Sequence, residues 1–119
     1  MAFNAETSQS NGYPVLALSG EVDLTVKTDL QCALDLLEQQ GDGFIVDLSD
    51  ITYIDSCALG MLIASSARLH ERGSALAIVS NRDGLRRIFQ TRQLVDLLCF
   101  VGSRDEAAAR LDSTRSATS

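Results

Sequence analysis

Residues 44–62 read FIVDLSDITYIDSCALGML, and the fold class turns on how this stretch divides. Phe44 to Leu48 is a compact run, apolar on both of its alternating sides, which predicts a buried central strand. Ser49 to Asp55 reads as a loop or a short continuation anchored by Ile51, Tyr53 and Ile54. A helix then starts at Ser56 and runs to about Glu71. Cys57, Ala58, Leu59, Met61, Leu62, Ile63, Ala64 and Ala67 make its first turns apolar nearly all round, so it is either buried or partly covered by a partner. Arg68, His70, Glu71 and Arg72 make its end polar, and Gly73 stops it.

The same alternation extends in both directions. Upstream, Tyr13 to Ser19 suits a strand that Gly20 breaks, with Pro14 at the start, where a missing N–H is tolerated. Val26, Leu30, Ala33, Leu34 and Leu37 then line one face of a helix, and Lys27, Gln31, Asp35 and Glu38 fill the other side. Thr25 reads as its N-cap, with Asp23 near enough to act with it, and Gly41-Asp42-Gly43 ends it. Residues 1–12 read as a flexible start or a short edge strand around Phe3.

Downstream, Ala75 to Val79 is a third strand, Arg82 to Gln90 a short helix with Leu85, Ile88 and Phe89 on one face, and Leu97 to Val101 a last strand. Ser103 and Glu106 form a capping box that opens a final helix to about Leu111, and residues 112–119 read as a disordered tail. Strands alternating with helices predict an α/β domain, here a single one spanning 13–111.

At 119 residues, folding buries roughly two-thirds of the unfolded chain's surface, enough for one core. The net charge is −6, Lys27 is the only lysine, and the arginines spread from Arg68 onward without a dense cluster. Nucleic acid and anionic membrane are therefore not the expected partners. No apolar run is long enough to span a bilayer, and the start of the chain has no secretion-signal pattern. Cys32, Cys57 and Cys99 suit neither a disulfide framework nor a metal site, so a reducing cytoplasm is the simplest setting. His70 is the only histidine, and neither GxxxxGK[ST] nor GxGxxG is present, which leaves few tools for catalysis.

Asp55 and Ser56 concentrate the remaining chemistry. Ser56 falls at a helix N-terminus, where free N–H groups and the dipole's positive end could hold a phosphate on its hydroxyl. Spacing alone equally supports an ordinary N-cap pair. Cys57 beside it reads as a small buried residue or, alternatively, a thiol open to redox input. Cys32 and Cys99 read as core, His70 as a surface residue that favours the helix dipole, and Arg82, Arg86, Arg87 and Arg92 as a solvated face or, alternatively, a second docking surface.

Gly20-Glu21-Val22-Asp23, FIVDLS at 44–49 and YIDSCALGML at 53–62 together resemble the STAS domain, most closely the bacterial anti-sigma factor antagonists, or anti-anti-sigma factors. The acidic turn alone is a weak signal; the Asp-Ser helix start after a Val-Asp-Leu strand is specific. The resemblance implies a small mixed sheet of four to five strands with an antiparallel N-terminal strand, and about four helices packed mainly on one face. It implies a protein that is a kinase substrate and not an enzyme. An anti-sigma factor with serine kinase activity, carrying its own Mg-ATP, would phosphorylate Ser56; the unphosphorylated form would bind it and free the sigma factor, and a protein phosphatase would reset the switch. Asp55 matches the acidic residue before the acceptor, and Glu21, Asp23, Thr25 and Cys57 fall in the docking region around it.

Cys57 stands where the family often has a second Ser or Thr, which leaves Ser56 as the one acceptor in the motif, and Ala58 stands where Gly is frequent. The rivals are a STAS module that binds without switching, as a stressosome-like scaffold or a lipid-transporter component, and a hydrolase using Ser56, which has only carboxylates nearby as a base.

Overall fold

The computed structural model describes residues 3–40, 43–80 and 99–118. Its elements are β1 (Asn4–Ser10), β2 (Tyr13–Val22), a 3-10 turn (Leu24–Val26), α1 (Lys27–Gln39), β3 (Phe44–Ile54), α2 (Ser56–Glu71), β4 (Leu76–Val79), β5 (Cys99–Val101) and α3 (Arg104–Thr118). The five strands form one sheet in chain order. β1 runs antiparallel to β2, and every later pairing is parallel. Successive crossovers of one hand that step the same way along a sheet must leave their helices on the same face. α1 and α2 obey this.

Alternation along each strand splits the core in two. Leu16, Leu18, Val46, Leu48, Leu76 and Ile78 point toward Leu30, Leu34 and Leu37 of α1 and Leu59, Leu62 and Leu69 of α2. Tyr13, Val15, Ile45, Ala77 and Val79 point the other way, where Ala107, Ala108 and Leu111 of α3 cover them. Burial on both faces is why the central strands read as unbroken apolar runs. The expectation that helices pack mainly on one face is corrected to this extent: α3 follows the last strand, is no crossover, and seals the opposite face. Asp47 anchors it by accepting from Arg104 Nε at 2.8 Å, while the β1–β2 hairpin adds Asn11 to Asp105 and Tyr13 to Asp112 hydrogen bonds. Ser103 Oγ accepts from the Glu106 N–H, as the capping box requires.

Several boundaries move. The N-terminal segment is an edge strand of seven residues. β2 continues through Gly20, whose φ of +80° sits at one of two register shifts in the β2–β3 ladder. β3 runs to Ile54, and Tyr53 is exposed there instead of anchoring a loop. α3 extends to Thr118, so residues 112–118 are helical where a tail was expected. The expected helix at 82–90 and its arginine face lie outside the described residues. Cys32 is exposed and not core.

Glu38 departs most from expectation. It is only 4% exposed, between α1 and α2, with Oε1 at 2.6 Å from Arg68 Nε and Oε2 accepting from Arg68 Nη2 and Ser65 Oγ. Its backbone carbonyl accepts from Arg72 Nη1 at 3.0 Å. A buried carboxylate needs this density of donors to offset its lost hydration. The Arg68 guanidinium holds the Glu38 carboxyl below its ordinary value, burial opposing it and Ser65 assisting.

A group with a depressed folded-state pKa contributes stability above its unfolded value, and that stability is lost as pH falls through the folded value. Glu38 therefore contributes at neutral pH, and that contribution is lost as pH falls below the ordinary carboxylate range. Glu38→Gln is expected to destabilise the protein by about 1–2 kcal/mol at pH 7 and to shrink the gap to wild type on acidification. Urea denaturation at pH 7 and pH 3.5 checks this; a gap independent of pH would refute it.

Gly12 and Gly43 both have φ above +80°, but only Gly43 is crowded: an added Cβ would lie 2.7 Å from the Ala75 carbonyl oxygen. Left-handed backbone alone costs a non-glycine residue roughly 1–2 kcal/mol. Gly43→Ala is expected to cost clearly more than Gly12→Ala in the same denaturation assay, and equal costs would refute the close approach.

Candidate functional site

The last stretch of the β2–β3 ladder builds the site. Glu21 pairs with Tyr53 and Val22 with Ile54, and the Asp55 N–H donates to the Val22 carbonyl at 3.1 Å. Parallel strands end together, so the turn after β2 and the start of α2 lie side by side at the sheet's C-terminal edge, the usual place for function in such sheets. The two register shifts in this ladder give β3 extra residues relative to β2. Such bulges re-aim a strand end and its side chains.

Asp55 is the N-cap of α2. Its backbone is extended, its carboxylate accepts from the Ala58 N–H at 2.9 Å, and its carbonyl accepts from the Leu59 N–H. Ser56 is the first helical residue, exposed, and its hydroxyl makes no hydrogen bond among the described residues. The cap role that sequence spacing left open to the pair therefore belongs to Asp55 alone. The N–H groups of Ser56 and Cys57 remain as first-turn donors without an intrahelical acceptor. Cys57 is half-buried.

The turn on the β2 side has a parallel construction. Asp23, not Thr25, is the capping residue: its carboxylate accepts from both the Thr25 N–H and the Thr25 hydroxyl. Those two bonds, the hydroxyl's first, hold the Asp23 carboxyl below its ordinary value. Thr25 is exposed, but its hydroxyl is committed to Asp23. α1 itself begins at Lys27 without a side-chain cap. Glu21 is half-buried beside Tyr53. The structure thus brings Glu21, Asp23, Thr25, Asp55, Ser56 and Cys57 to one end of the sheet.

Sequence reading missed two neighbours, Leu24 and Tyr53. They are 63% and 53% exposed, and both flank the acidic turn. Among the described residues no grouping of three or more His, Cys, Asp or Glu side chains could hold a metal, and no helix is long and apolar enough to cross a membrane.

The division of labour at the helix start is testable by stability alone. Asp55→Ala is expected to cost about 0.5–2 kcal/mol, with Asp55→Asn recovering most of it. Ser56→Ala, which removes an exposed and unengaged hydroxyl, is expected to stay within about 0.5 kcal/mol of wild type. A Ser56→Ala cost matching that of Asp55→Ala in urea denaturation would make Ser56 a cap after all.

Comparison with known proteins places this geometry. The family model described as Mlab, STAS domain, matches residues 5–99. An anti-sigma-B factor antagonist of Staphylococcus aureus is 28% identical over 99 residues, covering 82% of this chain and 92% of that protein. The Bacillus subtilis anti-sigma-B factor antagonist is 26% identical over 98 residues, covering 82% and 90%. Among solved structures, an anti-sigma factor antagonist from Mycobacterium paratuberculosis superposes with a TM-score of 0.82 at 20% identity, over 93% of this chain and 95% of that one. The Bacillus cell fate determinant SpoIIAA in its phosphorylated form superposes at 0.70, also at 20% identity, over 92% and 98%. A family match over most of the chain, joined to the mixed sheet and the Asp-Ser helix start, shows that the chain belongs to the STAS domain family.

Proposed function

We propose that this chain is a cytoplasmic anti-sigma factor antagonist switched by phosphorylation of Ser56. Unphosphorylated, it binds an anti-sigma factor that is also a serine kinase and so frees the sigma factor. The kinase, using its own Mg-ATP, phosphorylates Ser56 and the complex separates. A protein phosphatase restores the hydroxyl. The chain is the substrate and carries no catalytic residue of its own. The antagonist relatives support the role, and SpoIIAA, a fold neighbour solved in phosphorylated and unphosphorylated forms, is in keeping with a switch.

The observation that carries the reading is the exposed, unengaged Ser56 hydroxyl beside a cap supplied by Asp55. A kinase can reach it, and its modification breaks no internal bond. Phosphate adds about −1.5 to −2 charges next to Asp55 and near Glu21 and Asp23. An acidic surface that fits a basic partner closely when Ser56 is a hydroxyl gains bulk and a hydrated dianion at the point of contact. Separation follows where the clash and the cost of stripping that dianion of water exceed the added attraction.

A STAS module that binds without switching, as a scaffold or a transporter component, is the second reading, because the family match by itself fixes the scaffold and not the switch. Affinity capture from native-host lysate with wild type, Ser56→Ala and Ser56→Asp separates the two. Wild type and Ser56→Ala are expected to retain a serine-kinase anti-sigma factor and Ser56→Asp to lose at least tenfold of it. Incubation of the purified pair with Mg-ATP is expected to place phosphate on Ser56 alone, read by mass spectrometry. Equal capture by all three baits would sink the switch.

A further inference from the structure

We propose that Leu24 and Tyr53 are the apolar anchors by which the anti-sigma factor recognises this chain, seated in sockets next to the basic groups that meet Glu21, Asp23 and Asp55. The inference rests on the anti-sigma antagonist reading and adds to it the residues that set affinity.

Three large hydrophobic side chains stand exposed among the described residues: Leu24 at 63%, Leu36 at 62% and Tyr53 at 53%. Two of them fall at the candidate site. Tyr53 lies beside Glu21 in the β2–β3 ladder, and Leu24 directly follows the capping Asp23. The backbone bond from Asp55 to Val22 ties both segments to the start of α2. Consecutive Cα atoms are about 3.8 Å apart, so Tyr53, three residues before Ser56, lies within about 11 Å of it. Neither side chain takes part in the two caps that shape this end of the sheet. Leu24 contributes nothing to the cap, which uses the carboxylate of Asp23 and the N–H and hydroxyl of Thr25. Tyr53 stands between Ile51, which is buried, and Ile54, which packs against the core, on a strand end displaced by a bulge.

The chemistry of the surface defines the occupant. Exposed apolar groups at the same sheet end as the carboxylates of Glu21, Asp23 and Asp55 match a protein surface with an apolar pocket rimmed by Arg or Lys. In such interfaces a few central aromatic or aliphatic side chains carry most of the affinity, while rim charges set orientation and on-rate. The anchors also lie outside the phosphoacceptor, so they hold the partner while Ser56 decides whether it stays.

The test measures binding of the purified serine-kinase anti-sigma factor, identified by wild-type capture, to four variants by surface plasmon resonance. Leu24→Ser and Tyr53→Ser are each expected to weaken binding at least tenfold, mainly through faster dissociation. Leu36→Ser, an equally exposed leucine on α1 away from the site, is expected to change it less than twofold. Thermal unfolding of all three should match wild type, since none of these side chains is buried. Wild-type affinity in both the Leu24 and Tyr53 variants, or an equal loss in Leu36→Ser, overturns the anchors. Ser56→Asp is the fourth variant and judges the switch separately: tight binding there defeats the phosphorylation reading, yet loss at Leu24 and Tyr53 would still establish the anchors. A wild-type chain that retains no such kinase overturns both.

Discussion

The Asp55 N–H to Val22 carbonyl hydrogen bond closes the β2–β3 ladder. It fixes where β3 stops being a strand, and so where α2 can begin. Everything at the candidate site is measured from that junction. On one side of it Asp55 turns its carboxylate up to cap α2; on the other, Asp23 turns its own back to cap the 3-10 turn. Two neighbouring parallel strands thus end in two carboxylate-capped turns. Each carboxylate accepts from one backbone N–H, and Asp23 also from the Thr25 hydroxyl, yet each still adds negative charge to the surface between them. The fold obtains an acidic surface from groups it already needs for local structure.

A second constraint holds α2 at its far end. Glu38, Arg68 and Ser65 join α1 to α2, and Arg72 adds a bond to the Glu38 carbonyl. α2 is thus bonded to the sheet at its N-terminus through Asp55 and to α1 in its C-terminal half through Glu38. Ser56 is exposed at the bonded N-terminal end, outside the packing beneath.

Much of this was legible in sequence, and the rest was not for definable reasons. The unbroken apolar runs at Tyr13 and Phe44 and the 3.6-period face from Val26 to Leu37 announce the strands and the first helix, because the strands have a core on both faces and the helix on one. The Asp-Ser start of α2 was legible as a helix start, but which of the two residues caps it depends on one backbone dihedral that composition does not encode. The sequence pattern ends the strand from Tyr13 at Ser19 and leaves 49–55 as loop or continuation, because a glycine and a polar run normally break a strand; here bulges carry both strands past them. Glu38 falls on the side of the helix away from its apolar face in the sequence pattern, since its partners Ser65 and Arg68 lie on another helix and no local pattern links them. A buried-face Glu with an Arg and a Ser near i and i+3 on the next helix was the available signal. The exposure of Leu24 in the 3-10 turn and of Tyr53 near the strand end is not legible in sequence, because apolar residues beside a strand are ordinarily counted into the core.

The position of Ser56 one residue inside the cap has a physical consequence for any switch built there. A phosphate on an N-cap residue would compete with the capping bond and unsettle the helix. A phosphate at the first helical position leaves the Asp55 to Ala58 bond in place. It meets the favourable end of the helix dipole, worth about 0.3–1 kcal/mol at an exposed site, and the unfavourable charge of Asp55 beside it. These two contributions oppose each other. The capping bond stays intact in either state, and the added charge faces whatever covers the surface. That separation is what a partner switch requires: two states of one surface on a single unchanged scaffold.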